Sequence, residues 1–157
     1  MVAGASELRD SWVETIQRDR DAEVVGTAAD LTSGLALAEA HRPDIVVLHE
    51  TTVGDGLVSA IPALRKAARR ASVIVLAAAI DLANVERAGR AGVSGYVLED
   101  APTELVAAIR SAALGGIWLS PRIGAELIKD ERRRMSRDGA APSRSRGARM
   151  PPHATNR

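Results

Sequence analysis

The feature that most constrains the fold of this chain is its alternation of short apolar runs with longer amphipathic stretches. Four runs of strand length, three of them rich in β-branched residues, occur at 23–26, 45–48, 73–76 and 95–98. Their continuous apolar character suits parallel strands that are buried on both faces of a sheet. Helical patterns separate the runs, at 6–18, 32–41, 57–69, 82–91 and 102–114. This order predicts βαβ units and a parallel sheet covered by helices.

Composition excludes several classes of protein. The chain has 157 residues, which fits one domain and a tail. It has no cysteine, so disulfides and thiolate metal sites are excluded. No uncharged apolar window approaches the length of a membrane span, and the first ten residues lack the pattern of a secretory signal. We therefore expect a cytoplasmic protein that makes no membrane contact.

Four separate segments, in order and with nearly gapless spacing, carry a resemblance to a known family. They are DAEVVGTAAD at 21–30, RPDIVVL at 42–48, AGRAGVSGYVLED at 88–100 and AAIRSAALGGIWLSP at 107–121. Together they resemble the receiver domain of response regulators of the NarL/FixJ (LuxR-type) family. The resemblance implies a flavodoxin-like (CheY-like) α/β fold with five parallel strands in the order 2-1-3-4-5. The expected organisation is a receiver-like domain at 1–119, a linker helix at 120–134 and a disordered basic tail at 135–157.

The residues that carry phosphorylation chemistry in that family are all replaced in this chain. The family's acidic pair, which helps to hold Mg²⁺, falls on Ala3 and Gly4. The aspartate that accepts the phosphoryl group falls on His49. The hydroxyl and the lysine that contact phosphoryl oxygens fall on Ala77 and Glu99. The resemblance therefore implies a degenerate receiver that is not an enzyme, has no cofactor and has lost Mg²⁺ binding.

Acidic residues and His49 around this degenerate pocket allow other interpretations. His49 could line the old pocket, accept a phosphoryl group on its imidazole, or contact a ligand or partner. Glu50 could be a solvated loop acid or could mimic an aspartyl phosphate, although strand alternation predicts that it points away from the position of His49. A cation site is a further alternative, and it would be formed by Glu50, Asp55, Glu99 and Asp100.

Three aromatic residues are expected to have structural roles. Tyr96 aligns with the switch aromatic of the family, but Ala77 has no hydroxyl to which its rotamer could couple, so we predict a fixed packing or interface role. Trp12 is predicted to anchor the first helix in the core. Trp118 could cover the last strand–helix layer or lie in a dimer contact.

The carboxyl-terminal region is strongly basic. Residues 131–157 contain eight arginines against two acidic residues, a net charge of +6. Such a tail can attract nucleic acid through phosphate charge, but no aromatic residue is interleaved for base stacking. A solubilising tail is the alternative. The arginines considered for nucleic-acid contact are Arg132, Arg133, Arg134, Arg144, Arg146 and Arg149.

Two departures from the family bear on function. Only residues 1–3 stand where relatives have the whole first strand, and that strand is central in the sheet. We therefore expect an upstream start, an unstable domain, or completion by a partner. No periodic pattern of a helix-turn-helix output domain follows Met135, which suggests a stand-alone receiver or a truncated regulator.

These observations favour a signalling module that acts through protein contacts without a phosphorylation switch. The expected partner is a histidine kinase, a related regulator or a second copy of the chain in a homodimer. One alternative is a truncated NarL/LuxR-type transcriptional regulator that associates with DNA or with DNA-bound relatives. Another is a small-ligand sensor that uses the emptied pocket at the carboxyl ends of the strands.

Overall fold

A computed structural model describes residues 6–139, and the strands in this part of the chain form one parallel sheet. Its order is β1-β2-β3-β4, with Val47 opposite Ile74 and Val75 opposite Tyr96. A single-turn 3-10 helix (Gly54–Gly56) follows α3. In chain order the other elements are α1 (Ser6–Gln17), α2 (Leu31–His41), β1 (Ile45–His49), α3 (Glu50–Val53), α4 (Leu57–Ala67), β2 (Ser72–Ala77), α5 (Leu82–Ala91), β3 (Gly95–Leu98), α6 (Pro102–Ala113), β4 (Trp118–Leu119) and α7 (Pro121–Asp138).

Side chains of the strands alternate between two apolar cores, one on each face of the sheet. One core combines Leu48, Val75 and Tyr96 with residues of α2, α4 and α5. The other core combines Ile74 and Val97 with residues of α1 and α6. Because successive side chains of a strand point to opposite faces, a continuous apolar run is what a sheet buried on both faces requires. Each of these side chains is nearly inaccessible, and such burial contributes about 1.5–3 kcal/mol per large apolar side chain.

The predicted helices are present, and their ends have identifiable caps. The Asp30 side chain accepts a hydrogen bond from the Ser33 backbone N–H, and Asp81 accepts from the Ala83 and Asn84 N–H groups. These side chains satisfy donors that the first turns of α2 and α5 leave unpaired. Gly92 ends α5 in the left-handed region, with φ of 85°. A glycine suits that position because it has no Cβ to clash there.

The five-stranded order 2-1-3-4-5 is not confirmed, because the sheet formed by the described residues has four strands. Residues 23–26 are not assigned to a strand. In the predicted order they would pair with a strand at residues 1–3, which lie outside the described part. Among the described residues, β1 pairs with β2. The fourth strand is instead Trp118–Leu119, which the apolar run alone did not predict. It joins β3 because the backbone N–H of Trp118 donates to the Ser94 carbonyl and that of Ser120 donates to the Tyr96 carbonyl.

The linker helix is longer than predicted. It was expected to end at residue 134, but α7 continues to Asp138. Arg134 contributes to this extension, since it forms ion pairs with Asp130 one turn earlier and with Glu86 on α5. The first residues of the predicted disordered tail are therefore helical, and the rest of that tail, from residue 140 onward, lies outside the described residues.

The tryptophans occupy different environments. Trp12 of α1 is 3 % exposed and belongs to the core beneath α1 and α6, which confirms its predicted role. Trp118 is half-buried and packs against the same core from the edge strand β4. Within residues 6–139, no helix is long and apolar enough to cross a membrane.

Candidate functional site

Side chains from three neighbouring strand ends meet at the carboxyl edge of the sheet. His49 is the last residue of β1, Ala77 is the last residue of β2, and Glu99 follows β3. Parallel strands bring these positions together, and the Glu99 N–H donates to the Ala77 carbonyl at 2.9 Å. The side chains here form two hydrogen-bonded groups, one of His49, Thr51 and Glu99 and one of Glu50 and Tyr96, and we call the five residues the strand-end cluster.

Both ring nitrogens of His49 are occupied. The ring is 4 % exposed, and its Nε2 lies 2.7 Å from Glu99 Oε2. Its Nδ1 lies 2.7 Å from Thr51 Oγ1 and accepts a longer bond, of 3.4 Å, from the Thr51 N–H. This set of partners fits the tautomer with the proton on Nε2, which donates to the carboxylate while Nδ1 accepts from Thr51. His49 therefore lines the old pocket as predicted, with neither nitrogen open to a ligand.

Glu50 contacts two groups that sequence reasoning did not connect to it. Its Oε1 accepts the Ala78 N–H at 3.0 Å, and its Oε2 accepts the Tyr96 hydroxyl at 2.8 Å. The expectation of a solvated loop acid is wrong, because α3 begins at Glu50 and replaces strand alternation by a helical turn. The carboxylate consequently joins the loop after β2 to the side chain of β3.

Tyr96 is a buried phenol held by a carboxylate. It is 2 % exposed, and the Glu50 carboxylate accepts its hydrogen. Burial, the hydrogen bond to Glu50 and the negative charges of Glu50 and Asp81 raise the pKa of the Tyr96 phenol far above its ordinary value, although Arg87 opposes this. Tyr96 therefore remains a hydrogen-bond donor throughout the physiological pH range. A fixed packing role was predicted, and the Glu50 contact gives it a physical cause.

The four acidic residues proposed as a cation site have separate partners. Glu99 contacts His49, and Glu50 contacts Ala78 and Tyr96. Asp100 forms an exposed ion pair with Arg122 at 2.7 Å, and Asp55 is exposed in the 3-10 turn. Within residues 6–139, no three His, Asp or Glu side chains are grouped to hold a metal ion. Carboxylate oxygens are suitable ligands for Mg²⁺, but these four are held by separate partners or lie apart and do not converge on one point.

The remaining predicted positions are distributed over the chain. Ala77 is fully buried and contributes no hydroxyl to the cluster. Ala3 and Gly4 lie outside the described residues, as do Arg144, Arg146 and Arg149. Arg132, Arg133 and Arg134 are exposed on α7, where Arg134 is ion-paired with Asp130 and Glu86.

A cavity of about 420 Å³ lies apart from the strand-end cluster, between segment 21–26 and β1. His49, Ala77 and Glu99 are absent from its lining. The emptied pocket predicted for a small-ligand sensor would lie at the strand ends, where the side chains of His49 and Glu99 are hydrogen-bonded to each other.

Known proteins with related sequences are response regulators. No family model matches the chain. The nitrate/nitrite response regulator protein NarL of Escherichia coli K12 is 30 % identical over 114 residues, which are 72 % of this chain and 53 % of NarL. The transcriptional regulatory protein DegU of Brevibacillus brevis is 26 % identical over 135 residues, or 83 % of this chain and 56 % of DegU. The chain thus spans about half the length of the curated relatives it matches.

Solved structures agree with the sequence relatives. A two-component response regulator of the LuxR family from Aurantimonas sp. SI85-9A1 superposes with a TM-score of 0.76 at 30 % identity, covering 83 % of this chain and 94 % of the other. The signal receiver domain of a NarL regulator from Mycobacterium tuberculosis gives a TM-score of 0.67 at 28 % identity, covering 73 % and 93 %. The chain therefore belongs to the NarL/LuxR family of two-component response regulators, and its described part has the CheY-like α/β fold of their receiver domain.

Proposed function

We propose that this receiver-like domain transmits its signal by contact with another protein and without accepting a phosphoryl group. The single observation that carries the proposal is the position of His49. It stands at the end of β1 where the family resemblance places the phosphoacceptor, and hydrogen bonds occupy both of its ring nitrogens. An imidazole needs a free lone pair to attack phosphorus, and here the Nδ1 lone pair is used by Thr51.

Electrostatics at the strand-end cluster support the same proposal. Phosphoryl transfer requires cationic groups that stabilise negative charge on the transferred oxygens. The cluster instead places the carboxylate of Glu99 2.7 Å from the His49 ring and adds the carboxylate of Glu50. These two carboxylates repel a phosphoryl donor, and Glu99 stands where the family has a lysine, so we infer that the domain is not an enzyme and has lost Mg²⁺ binding.

A protein contact then needs a surface, and the best-supported one includes α5, β3 and α6. Tyr96 of β3 is held in one position by Glu50, so the helices beside it have one fixed arrangement. The Arg134–Glu86 ion pair already seats α7 on α5, which leaves the remaining exposed face of α5 and α6 for a partner. We propose that this partner is a histidine kinase, a related regulator or a second copy of the chain.

The direct test is chemical phosphorylation. The full chain is incubated with acetyl phosphate and Mg²⁺, and its intact mass is measured, with a phosphorylatable NarL receiver domain as the positive control. We expect the mass of this chain to stay unchanged while that of the control increases by one phosphoryl group. A phosphorylated species that disappears in His49→Ala would overturn the proposal.

A second candidate is nucleic-acid association through α7. Arg132 and Arg133 are exposed on the part of the helix that leads into the basic tail. Retention on non-specific duplex DNA should decrease with salt, because phosphate contacts release counterions. Replacing Arg132 and Arg133 by glutamine should then shift elution to lower salt, with Arg20→Gln at an exposed arginine as the surface control. Equal elution of all three proteins would exclude this candidate.

A further inference from the structure

A concave space of about 400 Å³, which we call the basic groove, lies at the amino ends of β2 and β3, at the other end of the sheet from the strand-end cluster. Arg65 and Lys66 line it from the last turn of α4, and Arg70 lines it from the turn that follows. Ser72, the first residue of β2, and Ser94, which directly precedes β3, complete its polar lining. Three cationic side chains and two hydroxyl-bearing residues from separate segments of the chain therefore border one space.

The cationic groups of the basic groove have no acidic partner. Arg65, Lys66 and Arg70 are exposed and form no ion pair with any side chain of residues 6–139. This covers every aspartate and glutamate of the chain, since all of them lie between residues 7 and 138. Ser72 and Ser94 are half-buried, and their backbone N–H groups donate to carbonyls within the sheet region, whereas their hydroxyls form no hydrogen bond in the described part. The groove thus presents unpaired positive charge beside unpaired hydroxyls.

The helix dipole explains only part of this charge. The carboxyl end of a helix favours cationic side chains, which suits Arg65 and Lys66 in the last turn of α4. Arg70 lies beyond the helix in the left-handed region, with φ of 77°, where an arginine is uncommon. The side chain of Arg65 lies against Gly92, and a Cβ at Gly92 would stand 2.6 Å from Arg65 Nη1. A left-handed turn and a missing side chain therefore accompany the two guanidinium groups at the groove.

Phosphoryl oxygens fit this set of donors. A guanidinium can donate two parallel hydrogen bonds to two oxygens of one phosphoryl group, and ammonium and hydroxyl groups can donate to the others. Among the described residues that line the groove, none is aromatic, so a nucleic-acid base would have no side chain on which to stack. A bounded concave space suits a compact anion better than the extended row of phosphates of a duplex.

We propose that the basic groove binds a compact anion with linked phosphoryl groups, either free pyrophosphate or the phosphates of a nucleotide. The multiple negative charges of such a ligand are matched by the three cationic side chains of the lining. Binding is non-covalent, and the phosphoryl groups are recognised without the base. The inference goes beyond the proposed function, because it concerns the amino ends of the strands and needs no phosphoryl transfer at their carboxyl ends. Failure of one leaves the other standing.

The experiment titrates the full chain with pyrophosphate in a calorimeter, at about 0.15 M ionic strength and without Mg²⁺. We expect pyrophosphate to bind and to increase the thermal midpoint, whereas sodium chloride at equal ionic strength should leave the midpoint unchanged. ADP should bind within about fivefold of pyrophosphate, because the groove offers its base no stacking partner. The absence of binding with pyrophosphate up to about 10 mM would overturn the proposal, as would tighter binding of ADP by more than fivefold.

Charge variants locate the site. Arg65→Gln and Arg70→Gln should each weaken pyrophosphate binding by about fivefold or more. Arg69→Gln is the matched control, because Arg69 is an exposed cation of the same segment that is absent from the lining, and it should change binding by less than about twofold. Ser94→Ala should weaken binding about two- to threefold. An effect of Arg69→Gln equal to that of Arg65→Gln would show general charge attraction and would overturn the proposal. Retention on duplex DNA that decreases in Arg65→Gln, without pyrophosphate binding, would also overturn it in favour of a nucleic-acid surface.

Discussion

The two ends of β1 differ in the contacts that surround them. At the carboxyl end, side chains of the strand-end cluster satisfy one another and the Ala78 N–H. At the amino end, Ile45 packs against the core beneath α1 and α6 and lines a cavity of about 420 Å³. A satisfied polar network holds one structure, whereas apolar packing is non-directional. The difference teaches that hydrogen-bonded side chains close the end which carries chemistry in receiver domains, whereas apolar contacts surround the opposite end.

The largest expected effect comes from removing the carboxylate that joins the strand ends. Glu50→Ala leaves the Ala78 N–H and the Tyr96 hydroxyl without their acceptor, so the free energy of unfolding should decrease by about 2–3 kcal/mol. Denaturant unfolding measures this change. Asp55→Ala, at an exposed acid, is the control and should stay within about 0.5 kcal/mol of the parent chain. A Glu50→Ala change no larger than that of the control would show that the closed end is not held by this contact.

A smaller effect is expected from Tyr96→Phe, which removes one hydroxyl and keeps the ring in the core. The free energy of unfolding should decrease by about 1 kcal/mol, because Glu50 retains its bond from the Ala78 N–H. Combined with Glu50→Ala, it forms a double-mutant cycle that isolates the Tyr96–Glu50 interaction. Strict additivity of the two changes would contradict the contact.

The alkaline pH dependence of stability gives an independent measure of the same contact. The pKa of Tyr96 is raised in the folded chain, so its stabilising contribution is fully present below the ordinary tyrosine pKa of 10.0. Above that pH the unfolded chain releases the phenol proton and the folded chain keeps it, so stability falls as pH rises. Tyr96 is the single tyrosine of the chain, so phenolate absorbance reports it alone. Titration of the folded chain near the ordinary value would contradict a buried phenol at this position.

The smallest effect is expected at the amino end of β1. Val24 is half-buried in segment 21–26 and packs against the core beneath α1 and α6, so Val24→Ala should cost less than about 1 kcal/mol. Val75→Ala, in the middle of the sheet and fully buried, is the comparison and should cost about 2 kcal/mol or more. Equal losses at the two valines would indicate that segment 21–26 is packed as tightly as the centre of the sheet.

The strands that could be predicted from the sequence are those that stand out by their own run of apolar residues. The runs at 45–48, 73–76 and 95–98 became strands because both of their faces are covered by helices. The run at 23–26 has a similar composition but no strand beside it in the described residues, and a strand cannot be inferred without its partner. Conversely, Trp118 and Leu119 pair with β3 although two residues carry almost no periodic signal.

The candidate site was predictable only in part, for a similar reason. The resemblance located His49, Ala77 and Glu99 at strand ends and Tyr96 within a strand, where the structure finds them. It did not reveal that Glu99 faces the His49 ring, since that contact joins residues 50 positions apart. The role of Glu50 was missed because strand alternation was extended one residue beyond the end of β1, where α3 already determines side-chain directions.

The way α7 is attached has a consequence for the far end of this helix. It has 18 residues and is therefore about 27 Å long, but Ile123 near its start is the one fully buried side chain in it. Further along, Leu127 packs against the core, and Arg134 forms an exposed ion pair with Glu86 of α5. The helix is thus a stiff lever arm, and a partner that displaces α5 by a small angle would swing the end of α7 at Asp138 through a much larger arc.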